Sequence, residues 1–125
     1  MKLLLDTHVF LWWRAEPRRI ERQVERAIAR ASLVYVSAVS VWEVAIKSQL
    51  GKLRYPSGSF SAAVAQSEFA RLDITFPHAE AVQDLPHHHA DPFDRLLIAQ
   101  ATVEGLTIVS ADRQLERYRI PVMWT

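Results

Sequence analysis

Short aliphatic runs recur along the chain, separated by stretches in which apolar residues return at helical spacing. Lys2 to Leu5, Leu33 to Val36, Leu72 to Phe76 and Leu106 to Val109 are mostly apolar and do not alternate, the pattern of strands covered on both faces. Pro121 to Trp124 is a fifth such run. Pro17 to Arg30 carries Ile20, Val24, Ala27 and Ile28 on one side of a helix, and Ser40 to Leu50 is followed by Gly51 as a C-terminal cap. Ser57 to Arg71 and Pro77 to Leu85 also have helical spacing, and Asp91 to Glu104 is opened by Asp-Pro and closed by Gly105. Strands alternating with helices predict an α/β fold, a mostly parallel central sheet with helices on both faces. No internal repeat or linker composition interrupts the pattern, so residues 1–125 read as one domain.

Ligands of such sheets collect outside the carboxyl ends of the strands. The first run ends in Asp6 and the fourth in Ser110-Ala111-Asp112, which puts two aspartates at one sheet edge. The plainest role for Asp6 is to cap a helix beginning near Val9, with Thr7 as the alternative cap, and Asp112 has a similar role ahead of Arg113 to Tyr118. Glu43 says more. Val39, Glu43, Ile46 and Leu50 share one helix face, so a carboxylate lies within an apolar stripe, where it needs a cation or a proton. An exposed Glu43–Lys47 pair at i,i+4 spacing is the plainer alternative. Asp91 at the N-cap, Pro92 behind it and Asp94 at the third helical position make a self-sufficient helix start. Since Asp91 already caps, Asp94 is left to project from the first turn, where the helix dipole tolerates its charge. Asp6, Glu43, Asp94 and Asp112 are thus four acids on separate buried elements.

Composition narrows the chemistry. The chain has no cysteine, which removes disulfides, thiolate metal sites and thiol nucleophiles, and leaves oxygen or imidazole as the only metal donors. Carboxylate oxygens suit Mg²⁺ or Mn²⁺, and their convergence predicts attack of activated water on a phosphodiester, with Thr7 and Ser110 available to orient water. A net charge of +1 neither demands nor forbids a nucleic-acid substrate. The N-terminal MKLLLDTHVFLWW starts like a signal peptide, but Asp6 and His8 interrupt it and no cleavage site follows, so a soluble cytoplasmic protein without a membrane segment is expected.

Three further features read two ways. His87, His88 and His89 are consecutive, which opposes convergence on one ion and favours a solvated loop, although one of them could touch a substrate phosphate. Arg18, Arg22, Arg26 and Arg30 form a ridge that is either an ordinary solvated face, given the interleaved Glu21 and Glu25, or a track for RNA phosphates. Trp12 and Trp13 point about 100° apart on a helix, so one packs in the core and the other is free for a surface.

LLLDTHVFLW, SAVSVWEVAIK, HADPFDRLLIAQA and TIVSAD together resemble, in order and spacing, the PIN-domain nucleases, and among them the VapC-type toxins of bacterial toxin-antitoxin pairs. The resemblance spans nearly the whole chain. It implies a PIN-like α/β domain, ribonuclease activity dependent on Mg²⁺ or Mn²⁺, and acidic site residues at Asp6, Glu43, Asp94 and Asp112, with Asp91 as an additional acid. It further implies an RNA substrate, frequent homodimers, and inhibition by a cognate antitoxin that inserts a peptide near the acids. His8 and the histidine run stand outside the general pattern. A phosphotransferase of the haloacid dehalogenase type also begins strand-Asp, but requires a second acid where this chain has His8. A non-catalytic PIN-like binding module is the alternative that a metal-dependent cleavage assay separates.

Overall fold

The computed structural model describes residues 1–125. Five strands, β1 (Lys2–Leu5), β2 (Leu33–Ser37), β3 (Ala70–Leu72), β4 (Thr107–Ser110) and β5 (Val122–Trp124), form one sheet in the order β3-β2-β1-β4-β5. Every neighbouring pair is parallel. Six α-helices connect them: α1 (Thr7–Ala15), α2 (Arg22–Arg30), α3 (Ala38–Gln49), α4 (Ser59–Gln66), α5 (Phe76–Ala81) and α6 (Pro92–Glu104). This is the α/β sheet with helices on both faces that the patterning predicts.

Successive strand residues face opposite sides of a sheet, and β1 shows why its run is unbroken. Leu3 and Leu5 pack with Phe10, Val24, Ile28 and Phe60, whereas Leu4 packs on the other face with Val39, Leu97, Ile98 and Leu115. All three leucines are fully buried, and each burial contributes about 2 kcal/mol. α1, α2 and α4 therefore cover one face and α6 the other, while α3 contributes to both. None of these helices is long and apolar enough to cross a membrane.

Several boundaries depart from the patterning, each for a local reason. The third strand covers Ala70–Leu72 rather than Leu72 to Phe76, because Thr75 caps α5: its hydroxyl accepts the His78 N–H while His78 Nδ1 accepts the Thr75 N–H. Phe76, which looked like strand core, is 84% exposed. α4 stops at Gln66, where the Ser67 hydroxyl takes over by donating to the Val64 carbonyl and accepting from Phe69 N–H. Pro17 to Arg30 is broken: Pro17–Arg19 is a 3-10 turn, Ile20 is extended and buried, and α2 begins at Arg22. Arg18 is thereby separated from the helix carrying Arg22, Arg26 and Arg30, and all four are exposed. Both tryptophans pack against the core, Trp13 on Phe69 with centroids 5.5 Å apart and Trp12 under the Arg19 guanidinium at 4.7 Å.

A buried polar link ties α3 to α6. The Ser37 hydroxyl, which caps α3 by accepting from Val39 N–H, donates to Gln100 Oε1 at 2.5 Å, and the Gln100 amide donates to the Asp73 carbonyl at 3.3 Å. His78 accepts at Nδ1, so Nε2–H donates to Glu104 Oε2 at 2.8 Å.

Candidate active site

The strand order reverses between β1 and β4, and there the residues following the two strands open a crevice. Asp6, Thr7, Glu43, Asp91, Asp94 and Asp112, with His8, Lys47, His89 and Gln114, line a cavity of about 200 Å³ that has no hydrophobic residue in its wall. The four acids expected from the patterning thus meet in one pocket, contributed by the ends of β1 and β4, the middle of α3 and the first turn of α6.

Capping and site roles coincide rather than compete. Asp6 accepts the Val9 N–H through Oδ1 at 2.8 Å, and Asp112 accepts the Gln114 N–H through Oδ1 at 3.0 Å. In each case one carboxylate oxygen fixes the side chain, and both residues line the pocket. Asp91 behaves as the helix-start reading expects, with Oδ1 accepting from Phe93 N–H at 2.8 Å and Asp94 N–H at 3.1 Å. Asp94 caps nothing; its Oδ2 lies 2.8 Å from His89 Nε2.

Glu43 combines the two readings of its helix. Its side chain is only 5% exposed, and Lys47 one turn later is the cation that compensates it, Nζ to Oε2 at 2.5 Å. The Thr7 hydroxyl donates to Oε1 at 2.6 Å and lies 2.8 Å from the Ser40 hydroxyl, so Thr7 orients Glu43. The stripe itself is rotated from expectation: Val39, Ser40, Glu43 and Val44 are buried, and Leu50 is 62% exposed. Ser110 is fully buried and its hydroxyl accepts the Asp112 N–H at 3.0 Å.

Buried carboxylates beside like charges resist ionisation. Burial pushes the Asp6 carboxyl above its usual range and nearby Glu43 adds to this, while the Ser110 hydroxyl, the Val9 N–H and His8 work against it. Asp94 is pushed up to about 7, first by burial, then by the charges of Asp91 and Glu43, against the hydrogen bond from His89. For Lys47 burial acts downward but is outweighed by the hydrogen bond and charge of Glu43, helped by Asp91 and Asp94, so its ammonium is held above the ordinary range. A divalent cation fits such a site: the donors are hard oxygens, they repel one another, and a positive charge would restore their ionised forms.

His89 is the residue that patterning missed. The loop places its ring inside the pocket, 2.8 Å from Asp94 Oδ2 and 3.6 Å from Asp112 Oδ2, whereas His87 and His88 stay exposed. Consecutive histidines do not converge on one point, and only one of the three does so here. The signal lay six residues beyond the run, in Arg95, whose guanidinium donates to the Pro86 carbonyl at 2.9 Å and the Val82 carbonyl at 3.3 Å and so pins the loop.

The same architecture is found in known proteins. The chain is 34% identical over 121 residues to Ribonuclease VapC22 of Mycobacterium tuberculosis, covering 95% of this chain and 93% of that one. Similar solved structures include VapBC2 of Rickettsia felis bound to a DNA fragment from its promoter, with a TM-score of 0.74, 14% identity and 98% of both chains covered. DNA-bound VapBC of Salmonella typhimurium has a TM-score of 0.72 at 19% identity, over 98% of this chain and 97% of that one. At such identities the structures speak for the fold alone. With residues 3–121 matching the PIN domain, from the first strand to the residue before the last strand, and its acids gathered where that fold reverses its strand order, the chain belongs to the PIN-domain family.

Proposed function

We propose that the chain is a cytoplasmic endoribonuclease dependent on Mg²⁺ or Mn²⁺, acting as one domain over residues 1–125 and serving as the toxin of a toxin-antitoxin pair. The carrying observation is the convergence of carboxylates in a pocket without hydrophobic lining, in a PIN-domain chain 34% identical to a named ribonuclease. Asp6, Glu43, Asp94 and Asp112 would hold the cation. When bound, it supplies Lewis acidity and charge neutralisation for hydrolysis of an RNA phosphodiester.

The chain's own part is orientation. The Val9 N–H holds Asp6, the Gln114 N–H holds Asp112, and Thr7 with Lys47 holds Glu43, so these carboxylates keep their positions without a ligand. Lys47 brings positive charge to the wall of a pocket that must admit a phosphate. Two clefts along α3 suit a cognate antitoxin. One, lined by Thr7, His8 and Lys47 beside the acids, shares Val44 with an apolar cleft of about 480 Å³ between α3 and α4. Phe76 and Val103 expose further apolar surface on α5 and α6, which a second copy in a homodimer would cover.

Incubation of the purified protein with a mixed cellular RNA pool tests the activity. Cleavage with Mg²⁺ or Mn²⁺ that stops on chelation is expected; RNA binding without cleavage would instead support the non-catalytic binding module. Expression should slow bacterial growth, and a small protein encoded beside it should bind the chain and relieve the arrest. RNA cleavage without such a partner would remove the toxin-antitoxin part and keep the nuclease.

A further inference from the structure

His89 is held in place by more contacts than a solvated loop residue requires. Arg95, next to Asp94 on α6, donates to the Pro86 carbonyl at 2.9 Å, the Val82 carbonyl at 3.3 Å and the Tyr118 hydroxyl at 3.1 Å. Tyr118 in turn meets the His88 ring edge-on, with centroids 5.2 Å apart. The loop is clamped on the N-terminal side of the imidazole, which is only 12% exposed and points between Asp94 and Asp112. A side chain fixed by its neighbours in this way is preorganised for a ligand.

The donor atoms of His89, Asp94 and Asp112 all lie within 4.8 Å of one another. Nε2 is 2.8 Å from Asp94 Oδ2 and 3.6 Å from Asp112 Oδ2. Adjacent ligands on a six-coordinate ion with bonds of roughly 2.1 Å stand about 3 Å apart, so these distances bracket the value such an ion needs. Building on the divalent-cation reading above, we propose that His89 is a nitrogen ligand of that cation, and that it makes the site select an ion of the Mn²⁺ type over Mg²⁺. Mg²⁺ is hard, keeps oxygen ligands and gains little from an imidazole, whereas first-row transition ions accept one readily. Coordination uses the Nε2 lone pair, so the ring carries its proton on Nδ1, the proton shared between Nε2 and Asp94 passes to solvent, and the ion takes its place between the two side chains.

Untagged protein loaded with Mn²⁺ and observed by pulsed electron paramagnetic resonance provides the test. Nitrogen-14 coupling from a directly bound imidazole is expected, lost in His89→Ala and kept in His8→Ala, which removes the other histidine lining the pocket. In parallel binding titrations, His89→Ala should weaken Mn²⁺ about tenfold and Mg²⁺ by less than about threefold. Circular dichroism of each variant establishes that it is folded, and the wild-type spectrum needs no variant at all. Mn²⁺ binding and RNA cleavage without nitrogen coupling would overturn the proposal and leave the nuclease reading standing. Equal weakening of both ions in His89→Ala would overturn selectivity. A wild type that binds neither ion would overturn both readings together.

Discussion

On the side of the pocket nearest β1 and α3, Glu43 has Thr7 on one oxygen and Lys47 on the other, and Asp6 has the Val9 N–H with the Ser110 hydroxyl beside it. On the side formed by α6 and the end of β4, Asp94 and Asp112 share a single neighbouring imidazole. The chain's own groups hold both inner acids in place, although burial still pushes the Asp6 carboxyl up. On the outer wall the Asp94 carboxyl is pushed up to about 7, first by burial and then by the charges of Asp91 and Glu43, against the hydrogen bond from His89. The inner acids are thus set in position by the chain before any cation binds, whereas the outer pair has one imidazole between them.

The largest test of this contrast is chemical. Asp94→Asn should lower RNA cleavage by about a thousandfold while the protein stays folded, because it removes an outer-wall ligand and no packing. Cleavage at wild-type rates would assign the reaction elsewhere.

Added Mn²⁺ should stabilise the native state by about 2.7 kcal/mol at a hundredfold excess over its dissociation constant, read as a higher melting temperature. Asp94→Asn should shrink this shift. An undiminished shift would mean that the outer wall is not where the cation binds.

Lys47→Met tests the framework. It strands Glu43 without a cation and should cost about 2 kcal/mol in urea unfolding, less than a fully buried pair because the Lys47 side chain is 32% exposed. Glu43→Gln in the same chain should return most of that stability, and its failure to do so would mean that Lys47 acts through contacts other than Glu43.

The smallest effect is the pH dependence. A carboxyl whose folded pKa is raised binds more protons in the native than in the unfolded state between its ordinary value of 3.8 and about 7, so its contribution falls as pH rises through that window. In chelator, lowering pH from 8 to 5 should therefore raise the melting temperature, and Asp94→Asn should flatten the trend by about 5 °C. Asp6, raised in the same direction, keeps part of the slope in the variant. Identical slopes in both proteins would show that Asp94 carries no excess charge.

What could be read from patterning follows the same division. Asp6, Glu43, Asp94 and Asp112 are attached to elements with a clear period or cap, so their elements bring them to one edge. His89 belongs to a loop without period, positioned by an arginine bound to backbone carbonyls, and no spacing rule encodes that. The third strand was displaced for a related reason. Ile74 and Phe76 look like strand residues, but Thr75 and His78 bond each other's backbones and start a helix, and both apolar side chains are left exposed. The turn of Glu43 was visible as a stripe, yet which neighbours share its buried side was decided by α3 packing on both sheet layers.

The pairing of β1 with β4, which joins Leu3 to Thr107 and Leu5 to Val109, has a consequence for the order of assembly. Asp6 and Glu43 leave the ribosome long before Asp94 and Asp112. Until β4 docks beside β1 a nascent chain lacks Asp112 at the site, and pairing across more than a hundred residues is slow to form. On the nuclease reading, synthesis and activity are therefore separated in time: the RNA that directs and carries out the making of the protein is exposed to an incomplete catalyst until β4 has been made and docked.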